Sequence, residues 1–555
     1  MQRVAGMSAL ALALQLLLGG LAPAQPASPI SAARIGEDVR VLASDAFEGR
    51  GPGQPGEART LEHLISQFKA AGLQPGGPDG SWLQDVPLRV FERRGAPRVT
   101  LAGPGSPPQP LVVGRDITLS SQNAGRNRLD GAAIVFVGYG VKVPELGWDS
   151  FAGADLRGKV ALVLANDPDF EAAPGSPAAG RFGGRAMVYP GRFGAKVAAA
   201  QAAGAAAVLV IHEDAAASYP WRQVANGDRI PGMAPAPETP RAGPSAIAGW
   251  LHREVAIRLL RGAGLDLERL KAAARDPGFR PLPIAKARLS VDFTVVSRPI
   301  VSRNVVARLP GRSRPDETVI YGAHWDANGR GAPDARGDDI RNGAVDNATG
   351  TAELLEVARA FASGPRPARS LVFIAYTAEE KGLLGSEYYA AHPVYPLERT
   401  AAVINLDPHV MLGRARNLEL VGGGRTDLEE DLGRAAAAEG LRVTPEPHPE
   451  AGWYFRSDHY PFAKRGVPVL SFRIGRDLAA GGLATGTARA EDYNVRRYHQ
   501  TGDEFDPGWS FEGAAQEARV AWRIGAALAS GDRWPGWRPG VEYAAAREPS
   551  ASARR

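Results

Sequence analysis

Between residues 290 and 530 two kinds of apolar stretch alternate, and this alternation limits the possible folds more than any other feature of the chain. Short apolar runs fall at 318–322, 370–376, 401–406, 418–421 and 467–472. Longer stretches with helical spacing fall at 349–362, 427–439 and 511–529. Strands that take turns with helices imply an α/β domain with a mainly parallel sheet.

A second texture precedes it. Residues 132–137, 160–164 and 206–211 read as buried strands, and 193–203 as a helix stopped by Gly204. Residues 245–264 and 265–274 read as helical, and the Pro-rich stretch 277–283 marks a boundary. His212 stands alone at a strand end, where a structural role is the simpler reading. Closer to the start, 60–71 reads as a helix ended by Gly72, and 82–121 as strands interrupted by the Pro-rich 104–110. After Ser530 the tryptophans of Trp534-Pro535-Gly536-Trp537 are expected to pack on the body, and about the last ten residues to be disordered.

The first residues carry an export pattern. Arg3 precedes an apolar stretch from Met7 to Leu18, followed by Gly19-Gly20 and Ala22-Pro23-Ala24. A basic start, an apolar core and an A-x-A site describe a signal peptide cleaved after Ala24. The stretch falls short of the roughly 20 apolar residues of a membrane span. The expected product is periplasmic or secreted, with no stable membrane insertion. The chain has no cysteine, which excludes disulfides, thiol catalysis, Cys-ligated zinc and iron–sulfur clusters. A net charge of +5 on 555 residues gives no reason to expect nucleic acid as a partner.

Histidines and carboxylates gather where the later strands end. The first leads into His324-Trp325-Asp326, and Asp346 stands just before the helix at 349–362. The second ends at Glu379-Glu380, the third at Asn405-Leu406-Asp407, and Tyr498-His499 lies beyond the last. Taken singly these have ordinary readings: Asp346 suits a helix N-cap, and the Glu pair suits an exposed charged loop. As a set they fall where open α/β sheets bind ligands, beyond the carboxyl ends of the strands. Two histidines and several carboxylates without a thiolate fit a hydrolytic zinc site. One carboxylate more than a single ion needs suggests two ions, about 3.5–4 Å apart, sharing a carboxylate and a water.

Together with Asp346-Asn347-Ala348-Thr349-Gly350 and Glu379-Glu380-Lys381-Gly382-Leu383, this order of motifs resembles the co-catalytic di-zinc aminopeptidases. That family includes secreted bacterial leucyl-type enzymes, glutamate carboxypeptidase II and the metal-free transferrin receptor. The resemblance covers the N-terminus and the whole of 290–530, while 130–290 looks like the family's protease-associated insertion. It implies an open, mainly parallel sheet with helices on both faces. The implied division is a signal peptide at 1–24, the start of the catalytic domain at 25–129, the insertion at 130–288, the catalytic domain at 289–530 and a tail at 531–555.

The resemblance also implies roles. His324, Asp346 and Asp407 would hold one zinc ion, and Asp346, Glu380 and His499 the other, giving two Zn2+ per chain with Asp346 as the bridge. Glu379 would be the general base, Asp326 would orient His324, and Tyr498 would help to stabilise the oxyanion. Ser457-Asp458-His459 matches a further family motif, to which no chemistry is assigned. Asp407-Pro408-His409 departs from the family pattern by its proline, and Asp407 rather than His409 is taken as the ligand. The implied function is hydrolysis of the N-terminal peptide bond of peptides with a free N-terminus. A carboxypeptidase, a glutaminyl cyclase or a non-catalytic receptor-like module are the alternatives.

Overall fold

In the strand Arg314–His324, Val319, Tyr321 and Ala323 point into one apolar core while Ile320 points into another. Its neighbour Arg369–Tyr376 divides likewise, with Leu371, Phe373 and Ala375 on one side and Val372, Ile374 and Tyr376 on the other. Successive side chains leave a strand on opposite faces, so a run that is apolar throughout must be covered twice. The helices Gly350–Ala362 and Glu512–Ser530 cover one face, and Leu384–Ala391 and Tyr460–Ala463 the other. Packing is close: a Cβ on Gly525 would lie 1.7 Å from the Tyr321 hydroxyl, which donates to the Ala521 carbonyl at 2.8 Å.

This computed structural model describes residues 29–228, 230–236, 246–408 and 410–554. The leader expected at 1–24 and His409 lie outside the described residues. No helix among the described residues is long and apolar enough to cross a membrane.

Four parallel strands form the centre of the catalytic sheet, in the order Arg369–Tyr376, Arg314–His324, Thr400–Asn405, Val469–Ile474. Asn417–Leu420 joins the far edge antiparallel and pairs with the short strand Arg442–Pro445. On the near side the 28-residue strand Leu282–Leu309 pairs antiparallel with Arg369–Tyr376. It also pairs with Leu83–Gly103 along most of its length, and its first half pairs with Gly125–Phe136. From there the sheet continues through Val160–Leu164, Ala207–His212 and Ile247–His252, all parallel. One twisted sheet thus runs through two lobes. The second lobe has its own core, which draws on Val99, Ile117 and Leu119 as well as on later residues to Val295.

Two expectations need correction. Residues 247–252 form a strand, and the helix begins only at Arg253. Pairing with Ala207–His212 outweighs the helical spacing, and on the strand's other side Gly249 lets the segment at 117–120 approach: a Cβ there would sit 1.8 Å from the Thr118 carbonyl. The end of the chain is also ordered. Residues 544–554 wind into helical turns. Arg547 is buried there and donates to the carbonyls of Leu397 and Thr400 at 2.7 and 2.6 Å. Trp537 packs on the body through an indole bond to the Gly466 carbonyl at 2.7 Å.

Candidate metal centre

His324 is the last residue of its strand, and the other candidate ligands rise from loops around it. Its Nε2 lies 3.2 Å from Asp346 and 3.8 Å from Asp407. The second histidine, His499, places Nε2 3.2 Å from the other Asp346 oxygen and 3.1 Å from Glu380. One donor atom from each of His324, Asp346 and Asp407 falls within 4.8 Å of the others, and the same holds for Asp346, Glu380 and His499. Asp346 belongs to both groups, offering one oxygen to each histidine. Glu379 belongs to neither, although its carboxylate stands 3.9 Å from His324 Nε2.

Local structure separates the adjacent glutamates. Glu379, Glu380 and Lys381 form a single tight turn between Ala378 at φ +54° and Gly382 at φ +106°. The left-handed Ala378 is an uncommon conformation for a residue with a Cβ, and it turns the chain out of the strand so that the two carboxylates diverge. The amide of Glu379 donates to Asp326 Oδ1 at 3.0 Å, fixing the turn. Asp326 therefore works on two groups. Its backbone carbonyl meets His324 Nδ1 at 3.0 Å, with its carboxylate further away at 3.6 Å. A partner on Nδ1 sets the tautomer that leaves Nε2 to bind.

Asp346 does not cap the helix that follows it. Asn347 Oδ1 accepts the Gly350 amide at 2.9 Å, and its amide nitrogen donates to the Leu406 carbonyl at 3.1 Å. The Asp346 carboxylate is thus left to the centre. Its backbone is held by Asp503, whose two oxygens accept the amides of Val345 and Asp346 at 3.1 Å each. On the opposite side Ser457 donates to the Asp407 carboxylate and accepts from Asn405 at 2.6 Å.

Arg50 lies beneath the centre, fully buried. It donates to the carbonyls of Trp325 (2.8 Å), Leu42 (2.7 Å), Asn342 (2.6 Å) and Gly343 (2.8 Å). The N-terminal segment is thereby tied to the loops that present His324 and Asp346. Burial pushes this guanidinium down to about 10, against the pull of Asp503, Asp326 and Asp346. Asp503 and Arg50 were not singled out by sequence, because the bonds that tie them to the centre go to backbone groups.

The donor set fits a pair of divalent cations. Four carboxylates and two imidazoles crowd one buried place, and His324 Nε2 has no hydrogen-bond partner. Burial disfavours charge on His324, yet the carboxylates around it, Glu379 foremost, drive its pKa well above the ordinary imidazole value. Burial and neighbouring carboxylates raise Glu379 and Glu380. In the absence of cations such a cluster must hold protons to balance its charge.

Residues 304–521, which span this geometry, match the sequence profile of peptidase family M28. This part of the chain belongs to peptidase family M28. A probable zinc metalloprotease of Pyrenophora teres f. teres is 39% identical over 118 residues, 21% of this chain and 24% of that protein. The mouse aminopeptidase NAALADL1 is 37% identical over 139 residues, 24% of this chain and 17% of that protein. The chain therefore spans about a quarter or less of the length of these relatives. The solved aminopeptidase from Aneurinibacillus sp. strain AM-1 shares the fold across 92% of this chain and 95% of its own, with 19% identity and a TM-score of 0.52.

Behind the candidate ligands lies a buried acidic pair. Glu353 and Glu517 come from the two helices that cover this face, and neither Glu353 oxygen has a hydrogen-bond partner. Burial raises both, Glu517 to about 8, against a hydrogen bond from the Ile474 amide. A carboxyl raised on folding binds its proton more tightly in the folded state. Its contribution is complete below the ordinary carboxylate range and is lost as pH rises toward about 8. Glu517→Gln should therefore flatten the decline in stability between pH 5 and 8, raising the melting temperature more at pH 8 than at pH 5. Equal shifts at both values would show that the pair does not titrate on unfolding.

Proposed function

We propose that the chain is a metallo-exopeptidase that removes the N-terminal residue from peptides with a free amine, using two zinc ions. His324, Asp346 and Asp407 would hold one ion, and Asp346, Glu380 and His499 the other. The observation that carries the reading is the pair of donor groups sharing Asp346, with Glu379 beside His324 and part of neither group. Membership of family M28 supports the peptidase class, and a thiol-free set of imidazoles and carboxylates suits hydrolytic zinc.

When bound, the ions supply a Lewis acid and a water of lowered pKa. The chain supplies the rest. Glu379 accepts a proton from the attacking water and later delivers it to the leaving amine. The hydroxyl of Tyr498 accepts a hydrogen bond from Arg456 at 3.0 Å. A hydroxyl polarised in this way is a stronger donor to the oxyanion that develops on the scissile carbonyl. Asp326 steadies both the Glu379 turn and the His324 ring, and Ser457 steadies Asp407.

The lobe at 130–288 acts in this reading as a wall of the site rather than a source of ligands. Its Gln223 donates to the carbonyls of Asn494 and Tyr498 at 2.9 and 3.3 Å. Arg185 pairs with Glu450 at 3.0 Å, and Asn166 donates to the Glu450 carbonyl at 3.2 Å. These contacts hold the rim loops that carry Tyr498 and Trp453. The export pattern of the first residues supports an activity outside the cytoplasm, in the periplasm or the medium.

The test is a panel of peptides with free and acetylated N-termini, followed by mass spectrometry. Stepwise loss of first residues from free peptides alone is expected. Equal cleavage of acetylated peptides, removal of C-terminal residues, or loss of ammonia from N-terminal glutamine would each replace this reading with another.

A further inference from the structure

His499 stands between two anchors. On its C-terminal side Asp503 holds the chain to the loop of Asp346. The Asp503 carbonyl accepts the Ala344 amide at 3.0 Å, and its carboxylate accepts those of Val345 and Asp346. On the other side comes the helix Gly482–Arg496, whose own hold on the catalytic domain is slight at this end. Of its last four residues only Tyr493 is buried, while Val495 and Arg496 are exposed. Carbonyls in the last turn of a helix have no helical amide ahead of them to accept. Two of them are met here from the second lobe. Arg222 donates to the Val495 carbonyl, and Gln223 to that of Asn494 at 2.9 Å. Gln223 also donates at 3.3 Å to the carbonyl of Tyr498, the peptide group that leads into His499. Gln500 is a weaker local donor to the same turn, at 3.1 Å to Val495 and 3.5 Å to Tyr498. His499 itself has φ +57°, left-handed and uncommon for a residue with a Cβ. Such a conformation persists where its surroundings fix it.

The lobe presents these two donors on a fixed support. Both sit in the first turn of the short helix Trp221–Gly227. At its start the Trp221 indole donates to the Gly114 carbonyl at 3.0 Å. The same ring lies edge-on to His212 and His252, with ring centres 5.4 and 5.0 Å away. Just past its end, Asp228 pairs with Arg93 at 2.6 Å and accepts the Leu119 amide at 2.8 Å. His212, isolated in the sequence, thus helps to seat the helix that reaches across to the metal centre.

We propose that the second lobe sets the affinity of the metal site that contains His499, with Arg222 and Gln223 as positioning residues that hold the turn leading into that histidine. The proposal rests on the two-ion assignment above. His324, Asp346 and Asp407 are steadied from within the catalytic domain, by Asp326, Asp503 and Ser457. The lobe should therefore act on one site and leave the other alone.

Arg222→Met and Gln223→Met together remove both donors and keep most of the bulk. Zinc is titrated into the full-length metal-free protein in competition with a chelator. In the double variant one equivalent should bind as in the wild type and the other about 10- to 100-fold more weakly, the usual cost of losing a group that orients a ligand. His499→Ala should weaken the same equivalent. The double variant should be slow at limiting zinc and recover at saturating zinc. Two equivalents at wild-type affinity would overturn the proposal, because the contacts would then not hold His499. Equal weakening of both would overturn it too, as a general loss of structure. Should the double variant not fold, Gln223→Glu alone keeps the size and removes the amide donor, and the same results decide. A wild type that binds fewer than two ions sinks the two-ion reading. The inference then survives only if the double variant weakens the remaining ion as His499→Ala does, and a protein that binds none overturns both.

Discussion

Replacing Glu379 with glutamine should lower turnover by about 100- to 10,000-fold while the protein keeps its full metal content. The change preserves size and nearly preserves shape, but it removes the group proposed to accept a proton from the attacking water. Glu379 stands 3.9 Å from His324 Nε2 and outside both donor groups, so on the proposed assignment neither ion would lose a ligand. Glu380→Gln should behave in the opposite way. It removes an anionic donor from the group that holds His499. Metal content should fall by one equivalent, and added zinc should recover part of the activity. Zinc content and rate, measured for both variants at low and high added zinc, check the assignment. Metal loss and zinc rescue in Glu379→Gln, with full metal in Glu380→Gln, would reverse the two roles.

Arg50→Met should destabilise the fold by about 3–5 kcal/mol, the scale for removing one partner from a buried charged network. Four carbonyls now bonded to one guanidinium would lose their donor together. Two of them, Asn342 and Gly343, lead directly into the loop that carries Asp346, and a third belongs to Trp325, next to His324. Metal affinity should therefore fall along with stability. Arg50→Lys should fail to restore either, because a single ammonium cannot span carbonyls on three separate segments. The denaturant midpoint and zinc affinity of both variants test this. A lysine variant with wild-type stability would show that charge alone, not the fork, is required.

The candidate site was legible in sequence where an acid or histidine directly follows an apolar run. His324, Glu379, Glu380 and Asp407 all have that signature, because parallel strands that are buried on both faces leave no room for charge until they end. Asp346 was ambiguous, since an aspartate before a helix is also a good cap. Only the structure shows Asn347 taking the helix amide instead. Arg50 and Asp503 gave no signal. Arg50 reaches carbonyls as far as 293 positions away, and carbonyls carry no sequence identity.

Secondary structure followed the same logic. The strands Val160–Leu164 and Arg369–Tyr376 lie where continuous apolar runs place them. The helix Gly482–Arg496 was missed because it buries only Gly486, Ala490 and Tyr493, too few to write a stripe. At 247–252 the residues would suit either state, and pairing with a neighbouring strand decided.

The central claim is that one carboxylate, Asp346, joins two metal sites. Elemental analysis of fully active protein, with the Asp346→Asn variant beside it, tests this most directly. The account predicts two zinc equivalents per chain in the wild type and weakened binding of both in the variant, since each donor group would lose the same residue. Full activity with one equivalent or none, or a variant that loses one ion and holds the other with unchanged affinity, would contradict it.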